Sequence, residues 1–144
     1  MIGVQSVARR FIRPLALALV ATAAVATVAF AAGIGRPPTI EIDIRYSHYS
    51  PSELRVPLGV PVTFVIRNDD PIDHEWIVGD AAVHAFHRAS ADPLHTGDPT
   101  AVSVPALSTV TTTVTFAAAG RLEFICHLPG HEAYGMVGWV TSTP

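Results

Sequence analysis

The chain is predicted to be all-β: an antiparallel Greek-key β-sandwich preceded by an N-terminal apolar segment. Three observations predict it. After residue 38, apolar and polar residues alternate in several runs, the pattern of half-buried strands whose side chains point to opposite faces in turn. Pro51, Pro57-Leu58-Gly59, Asn68 to Pro71, Pro105, Gly120 and Pro129-Gly130 punctuate those runs at the short intervals at which a sandwich turns its strands. The 144 residues, 49% of them hydrophobic, suffice for one packed domain but not for two of ordinary size.

Arg9-Arg10-Phe11-Ile12-Arg13 precedes a stretch rich in Leu, Ala and Val from Leu15 to Ala32, the positive and apolar regions of an export signal. Residues 1–31 are therefore read as a signal peptide or N-terminal membrane anchor. Ala29-Phe30-Ala31 fits a small-x-small cleavage site that would leave a mature chain starting near Ala32. Alternatively the segment persists, because about eighteen to twenty apolar residues are enough to cross a bilayer; membrane association would then run through residues 15–34. Both readings place the domain outside the cytoplasm: periplasmic, secreted, or on the outer face of the cell membrane. Two glycines and two prolines between Gly33 and Pro38 break any helix and make 32–38 a linker, with the domain at 39–144.

Within the domain, Ile40, Ile42 and Ile44 alternate with Glu41, Asp43 and Arg45, and Val62, Phe64 and Ile66 with Thr63, Val65 and Arg67. Val110, Thr112, Val114 and Phe116 share one face of a later strand, and Leu122, Phe124 and Cys126 one face of another. Gly79 to Thr100 breaks this pattern and reads as an insertion carrying His84, His87 and His95. Asp80 is placed to cap a short helix through Ala81 to Arg88, with His84 and His87 on one face. The insertion is expected to be a solvated polar loop, with a second metal site as the sharper alternative.

The most specific chemistry is at the C-terminal end. Cys126, His131 and Met136 recur five residues apart, and thiolate, imidazole and a weak axial thioether are the donors of a mononuclear copper centre. A second imidazole must come from elsewhere; His74 follows the polar turn Asn68 to Asp73 and is the first choice. Cys126 is the only cysteine, so no disulfide within the chain accounts for it. A lone cysteine is ordinarily a small core residue, and it is the joint spacing that turns the reading towards metal. His127 follows Cys126, so strand alternation points it away, towards solvent or an outer hydrogen-bond shell. His48 is read as an ordinary loop histidine.

With its upstream histidine after an Asn-containing turn and its C-terminal Cys-x4-His-x4-Met, the last hundred or so residues resemble the cupredoxins, the plastocyanin and azurin family. The resemblance implies a type 1 (blue) copper protein with one Cu(I)/Cu(II) ion. It implies His74, Cys126, His131 and Met136 as its ligands and His131, near an apolar patch, as the electron port. The loop would supply three ligands and His74 would come from the opposite sheet. The expected function is electron transfer between redox protein partners by a monomer.

Other classes fit less well. The chain has no lysine, and all twelve carboxylates follow residue 40. Such an acidic domain suits a basic protein partner and not nucleic acid, whose phosphates need clustered cations. A multicopper oxidase or copper nitrite reductase shares Cys-x4-His-x4-Met, but position 125 is Ile125 and no His-x-His occurs to hold further coppers. A binuclear centre needs two cysteines. The protein is therefore expected not to be an enzyme. The alternative function is extracytoplasmic copper carriage or storage.

Overall fold

The computed structural model describes residues 37–89 and 97–144. The expected signal or anchor, most of the linker, and His95 lie outside the described residues. The described chain forms β1 Thr39–Arg45, β2 His48–Ser50, β3 Glu53–Pro57, β4 Pro61–Asn68, β5 His74–Gly79, α1 Ala81–Ala89, β6 Ala101–Val104, β7 Thr109–Thr115, β8 Gly120–Ile125, a 3-10 turn Glu132–Tyr134 and β9 Val137–Thr143. No helix among these residues is long and apolar enough to cross a membrane.

The strands make two sheets, β2-β1-β4-β7 and β3-β9-β8-β5-β6, packed face to face as the period-two runs require. Ile42, Ile44, Val62, Phe64 and Ile66 from one sheet are 0% exposed and meet Trp76, Val78, Phe124 and Val140 from the other in a single cluster. One position there admits no side chain at all. A Cβ on Gly138 would lie 2.2 Å from the Phe124 ring and 2.7 Å from the Ser52 carbonyl oxygen, so glycine lets β9 close on β8.

The sandwich is as expected, but its pairing is mixed and not wholly antiparallel. β1 runs parallel to β4, and β3 parallel to β9. The reason is the route of the chain: from β1 it turns back through β2, crosses to the other sheet as β3, and returns as β4. It thus re-enters beside β1 in the same direction. Local alternation carries no information about such returns.

β5 departs from alternation, all six of its residues being buried. Trp76 and Val78 enter the core cluster, while Ile77 points the other way and is still only 1% exposed. α1 packs on β5 and covers that outer face. The helix starts where expected: the Asp80 carboxylate accepts from the N–H groups of Ala82 and Val83 at 2.9 and 3.0 Å, satisfying two of the free donors of the first turn. Gly79 permits the close approach, since a Cβ there would fall 2.4 Å from Cβ of Val83.

Candidate metal centre

The C-terminal donors are set by the β8–β9 hairpin. Its ladder ends at Ile125 opposite Val137, which puts Cys126 and Met136 side by side just beyond it; Cys126 N–H donates to the Met136 carbonyl at 3.2 Å. The loop between them is folded on itself. His131 N–H donates to the Leu128 carbonyl and Met136 N–H to the His131 carbonyl, both at 3.0 Å, and Gly130 and Gly135 supply the left-handed conformations, at φ +87° and +93°, that such a tight path requires.

On the other side of β8 lies β5, paired antiparallel with Ile77 opposite Ile125. His74 therefore comes from the same sheet as Cys126, a correction to the expectation that it would come from the opposite one. The strand that starts after the polar turn is simply β8's neighbour. Asn68, 1% exposed, fixes that turn: its amide N–H2 donates to the carbonyls of Ile72, Val104 and Pro105, and its oxygen accepts from Asp70 N–H.

His74, Cys126 and His131 come together. Their ligand atoms all lie within 4.8 Å of one another, with His131 Nδ1 3.2 Å from both the Cys126 Sγ and His74 Nδ1. The tautomer of His74 follows from its far side, where Nε2 lies 3.0 Å from Asp70 Oδ2. An ionised carboxylate only accepts, so Nε2 carries the proton and Nδ1 presents a lone pair. Asp70 is held by the N–H groups of Tyr46 and Ser47 at 2.7 Å each. Burial pushes its carboxyl up, but those two donors and the His74 ring outweigh it and leave it below its ordinary value. Burial lowers the pKa of His74, against the pull of Asp70, which keeps the ring neutral as a donor must be.

The two rings are also not in line. A ring nitrogen lies at a fixed distance from its ring centre, so for a given nitrogen separation two rings aimed straight at each other have their centroids as far apart as possible. The His74 and His131 centroids are 4.9 Å apart. The two nitrogens are thus not aimed in line at each other, and with Cys126 Sγ also 3.2 Å from His131 Nδ1 the three ligand atoms lie close enough to share one ion. Cys126 is 0% exposed; burial pushes its thiol up to about 11, against the N–H donors of Glu75 and Leu128 that favour the thiolate. Metal binding must therefore displace a proton. Met136 is 0% exposed in the core cluster against which Leu128 packs. One thiolate, two imidazole nitrogens and a buried thioether fit copper in a type 1 arrangement.

One insertion histidine, His84, forms a second, different pair with His127. His84 is buried, not solvated: its Nε2–H donates to the Gly79 carbonyl at 3.1 Å, and its Nδ1 meets His127 Nε2 at 2.9 Å. Hydrogen-bond logic makes His127 the donor there. The centroids lie 5.2 Å apart, the separation of rings aimed directly at each other. His87 stacks on His127, centroids 6.0 Å apart and planes 2° from parallel. His127 thus meets α1 instead of solvent. Its Nδ1 lies 3.2 Å from Glu132 Oε2 but outside hydrogen-bonding geometry, and burial lowers its pKa. His48 is exposed as expected, but it opens strand β2, paired with Arg45, and does not lie in a loop.

Two features were not singled out from the sequence. Asp70 is one of three aspartates in the turn, and only the Asp-x3-His spacing to His74 marks it. The ion pair of Arg88 with Glu132, in which Nε meets Oε2 at 2.9 Å and Nη2 meets Oε1 at 2.6 Å, spans 44 residues and leaves no local signal. Arg88 holds the Glu132 carboxyl below its usual range.

Against this geometry, the profile of the family described as cupredoxin-like domain matches residues 15–137. A copper-resistant cuproprotein, CopI, of Pseudomonas aeruginosa is 32% identical over 138 residues, covering 74% of this chain and 76% of the relative. The Rubrivivax gelatinosus protein of the same name is 38% identical over 96 residues, covering 64% and 58%. Among solved structures, dithionite-reduced auracyanin from Roseiflexus castenholzii is 28% identical with a TM-score of 0.64, over 76% of this chain and all (100%) of that one. Auracyanin A, described as a "blue" copper protein from Chloroflexus aurantiacus, is 29% identical with a TM-score of 0.60, over 75% and 100%. The chain belongs to the cupredoxin-like family, and copper is its cofactor.

Proposed function

We propose that this cupredoxin is an extracytoplasmic electron carrier between redox proteins, holding one copper through His74, Cys126, His131 and Met136, and that it is not an enzyme. Bound copper supplies a one-electron Cu(I)/Cu(II) couple whose potential depends on the axial ligand and on the hydrogen bonds around the thiolate sulfur. The chain's part is to hold the donors still. The observation that carries the reading is that three of them are fixed by contacts that do not involve metal. Asp70 braces His74, the Glu75 N–H donates to Cys126 Sγ at 3.4 Å, and the folded loop backbone sets His131. Donors that cannot move far favour fast electron exchange. Of the three, His131 is the less buried, which supports it as the port for electrons, beside Leu128, Pro129 and Ala133. The auracyanin neighbours support a carrier, and the leader-like N-terminal segment supports export.

A second reading, copper sequestration or delivery, is favoured by the name of the CopI relatives. Visible spectroscopy and voltammetry on the exported, copper-loaded protein decide between them. An electron carrier shows intense thiolate-to-copper absorption and a reversible one-electron wave. A colourless protein that gives its copper readily to a chelator overturns the carrier reading. Met136→Leu is expected to keep the absorption and shift the potential; loss of the absorption would show that the axial assignment is wrong.

A further inference from the structure

The α1 insertion begins against the end of β5, the strand that carries His74, and its last turn reaches the copper-binding loop. Nine residues at 1.5 Å each give it a length of about 13 Å, enough to bridge the two. It grips the loop at two points, and each grip falls on the residue that follows a proposed copper ligand. His84 takes the hydrogen bond of His127, next after Cys126, at 2.9 Å. Arg88 holds Glu132, next after His131, through both carboxylate oxygens. The root of the helix is itself fixed, because His84 Nε2 is bonded to the Gly79 carbonyl, Asp80 caps the first turn, and Val83 fills the space a Cβ of residue 79 would take. The in-line geometry of His84 and His127 assigns that contact to a hydrogen bond and not to a second metal.

We propose that α1 is a clamp on the copper-binding loop, with Arg88 and His84 as positioning residues that keep the loop folded and slow the release of copper. The inference rests on the copper site proposed above and is independent of whether that copper carries electrons. By tethering the residue beside each ligand, the clamp restrains the loop without contributing a donor. Opening the loop then requires breaking the Arg88–Glu132 pair and the His84–His127 bond together.

The test uses the exported protein and three variants. Arg88→Glu breaks the pair and adds repulsion at a half-exposed position, where folding tolerates a change. The expected results are release of copper to a competing chelator about fivefold faster, the scale of a good surface ion pair, and faster hydrogen exchange at the amides of Leu128 and residues 130–136 in copper-free protein. The double variant Arg88→Glu/Glu132→Arg restores both. Arg121→Glu, which breaks the Arg121–Glu53 pair at the far end of β8, changes neither. Unchanged loop exchange in copper-free Arg88→Glu overturns the clamp even if the copper site itself were wrong. So does faster release that the double variant fails to restore, or that Arg121→Glu reproduces.

Discussion

Two histidine pairs lie at the same end of the sandwich and do opposite things. In His74 and His131 the nearest nitrogens are 3.2 Å apart and the rings are off the line between them, their centroids only 4.9 Å apart. In His84 and His127 they are 2.9 Å apart and the rings face each other squarely. Residue type and separation hardly distinguish them; the partner on the far nitrogen does not either, since each lead ring donates its other N–H to a fixed acceptor, Asp70 or the Gly79 carbonyl. What differs is the aim set by the backbone and the presence of a thiol. Cys126 Sγ stands beside the first pair and faces away from the second, because consecutive strand positions point to opposite faces.

The largest effect that sharpens this contrast is expected from Cys126→Ser. It should abolish thiolate-to-copper absorption altogether, while His84→Phe should keep it; visible spectra of the copper-loaded variants decide, and loss of the band in both would mean the pairs are not separate in function. Next comes Asp70→Asn, which weakens the brace on His74 while preserving shape. Partners of this kind contribute about 10–100-fold in metal affinity, a loss to be read by competition titration with a chelator. The pH dependence follows from the thiol. With Cys126 raised to about 11, the metal-free site is protonated near neutrality and loading with Cu(I) must release that proton. Apparent affinity should therefore rise about tenfold per pH unit through the weakly alkaline range and level off above the thiol pKa. Proton release measured in unbuffered solution should approach one per copper. The smallest effect is that of His84→Phe on the metal-free fold. It leaves the buried His127 Nε2–H and the Gly79 carbonyl without their partner, a loss of about 1–3 kcal/mol visible as a lower midpoint in denaturant. Copper release should quicken as predicted for Arg88→Glu.

The sequence made one of these pairs legible and hid the other. Strands with one wet face announce themselves, so β1, β4, β7 and β8 could be read from alternation and the capped helix from Asp80. The donor set could be read because Cys126, His131 and Met136 are close along the chain. β5 could not be read by period, because α1 covers its outer face and all six residues are buried. Short β2 and β6 carry too few residues to show a pattern, whereas β3 does alternate, with Leu54 and Val56 buried and Glu53 and Arg55 exposed. The parallel pairings, the sheet that His74 belongs to and the partner of His127, 43 residues away, depend on where the chain returns, which local composition does not encode. The same limit explains the misplaced expectation of a solvated insertion: polar residues such as His84 read as wet when their buried acceptors lie elsewhere.

Trp76 offers one more consequence. It is 0% exposed, two residues from His74, packed against Phe64 with centroids 4.8 Å apart, and its indole nitrogen has no hydrogen-bond partner. Trp139 instead lies under the Arg121 guanidinium, 3.9 Å from its ring centre. The core indole should therefore fluoresce at unusually short wavelength and dim as Cu(II) enters, giving the molecule an internal lamp by which metal occupancy can be followed without labelling it.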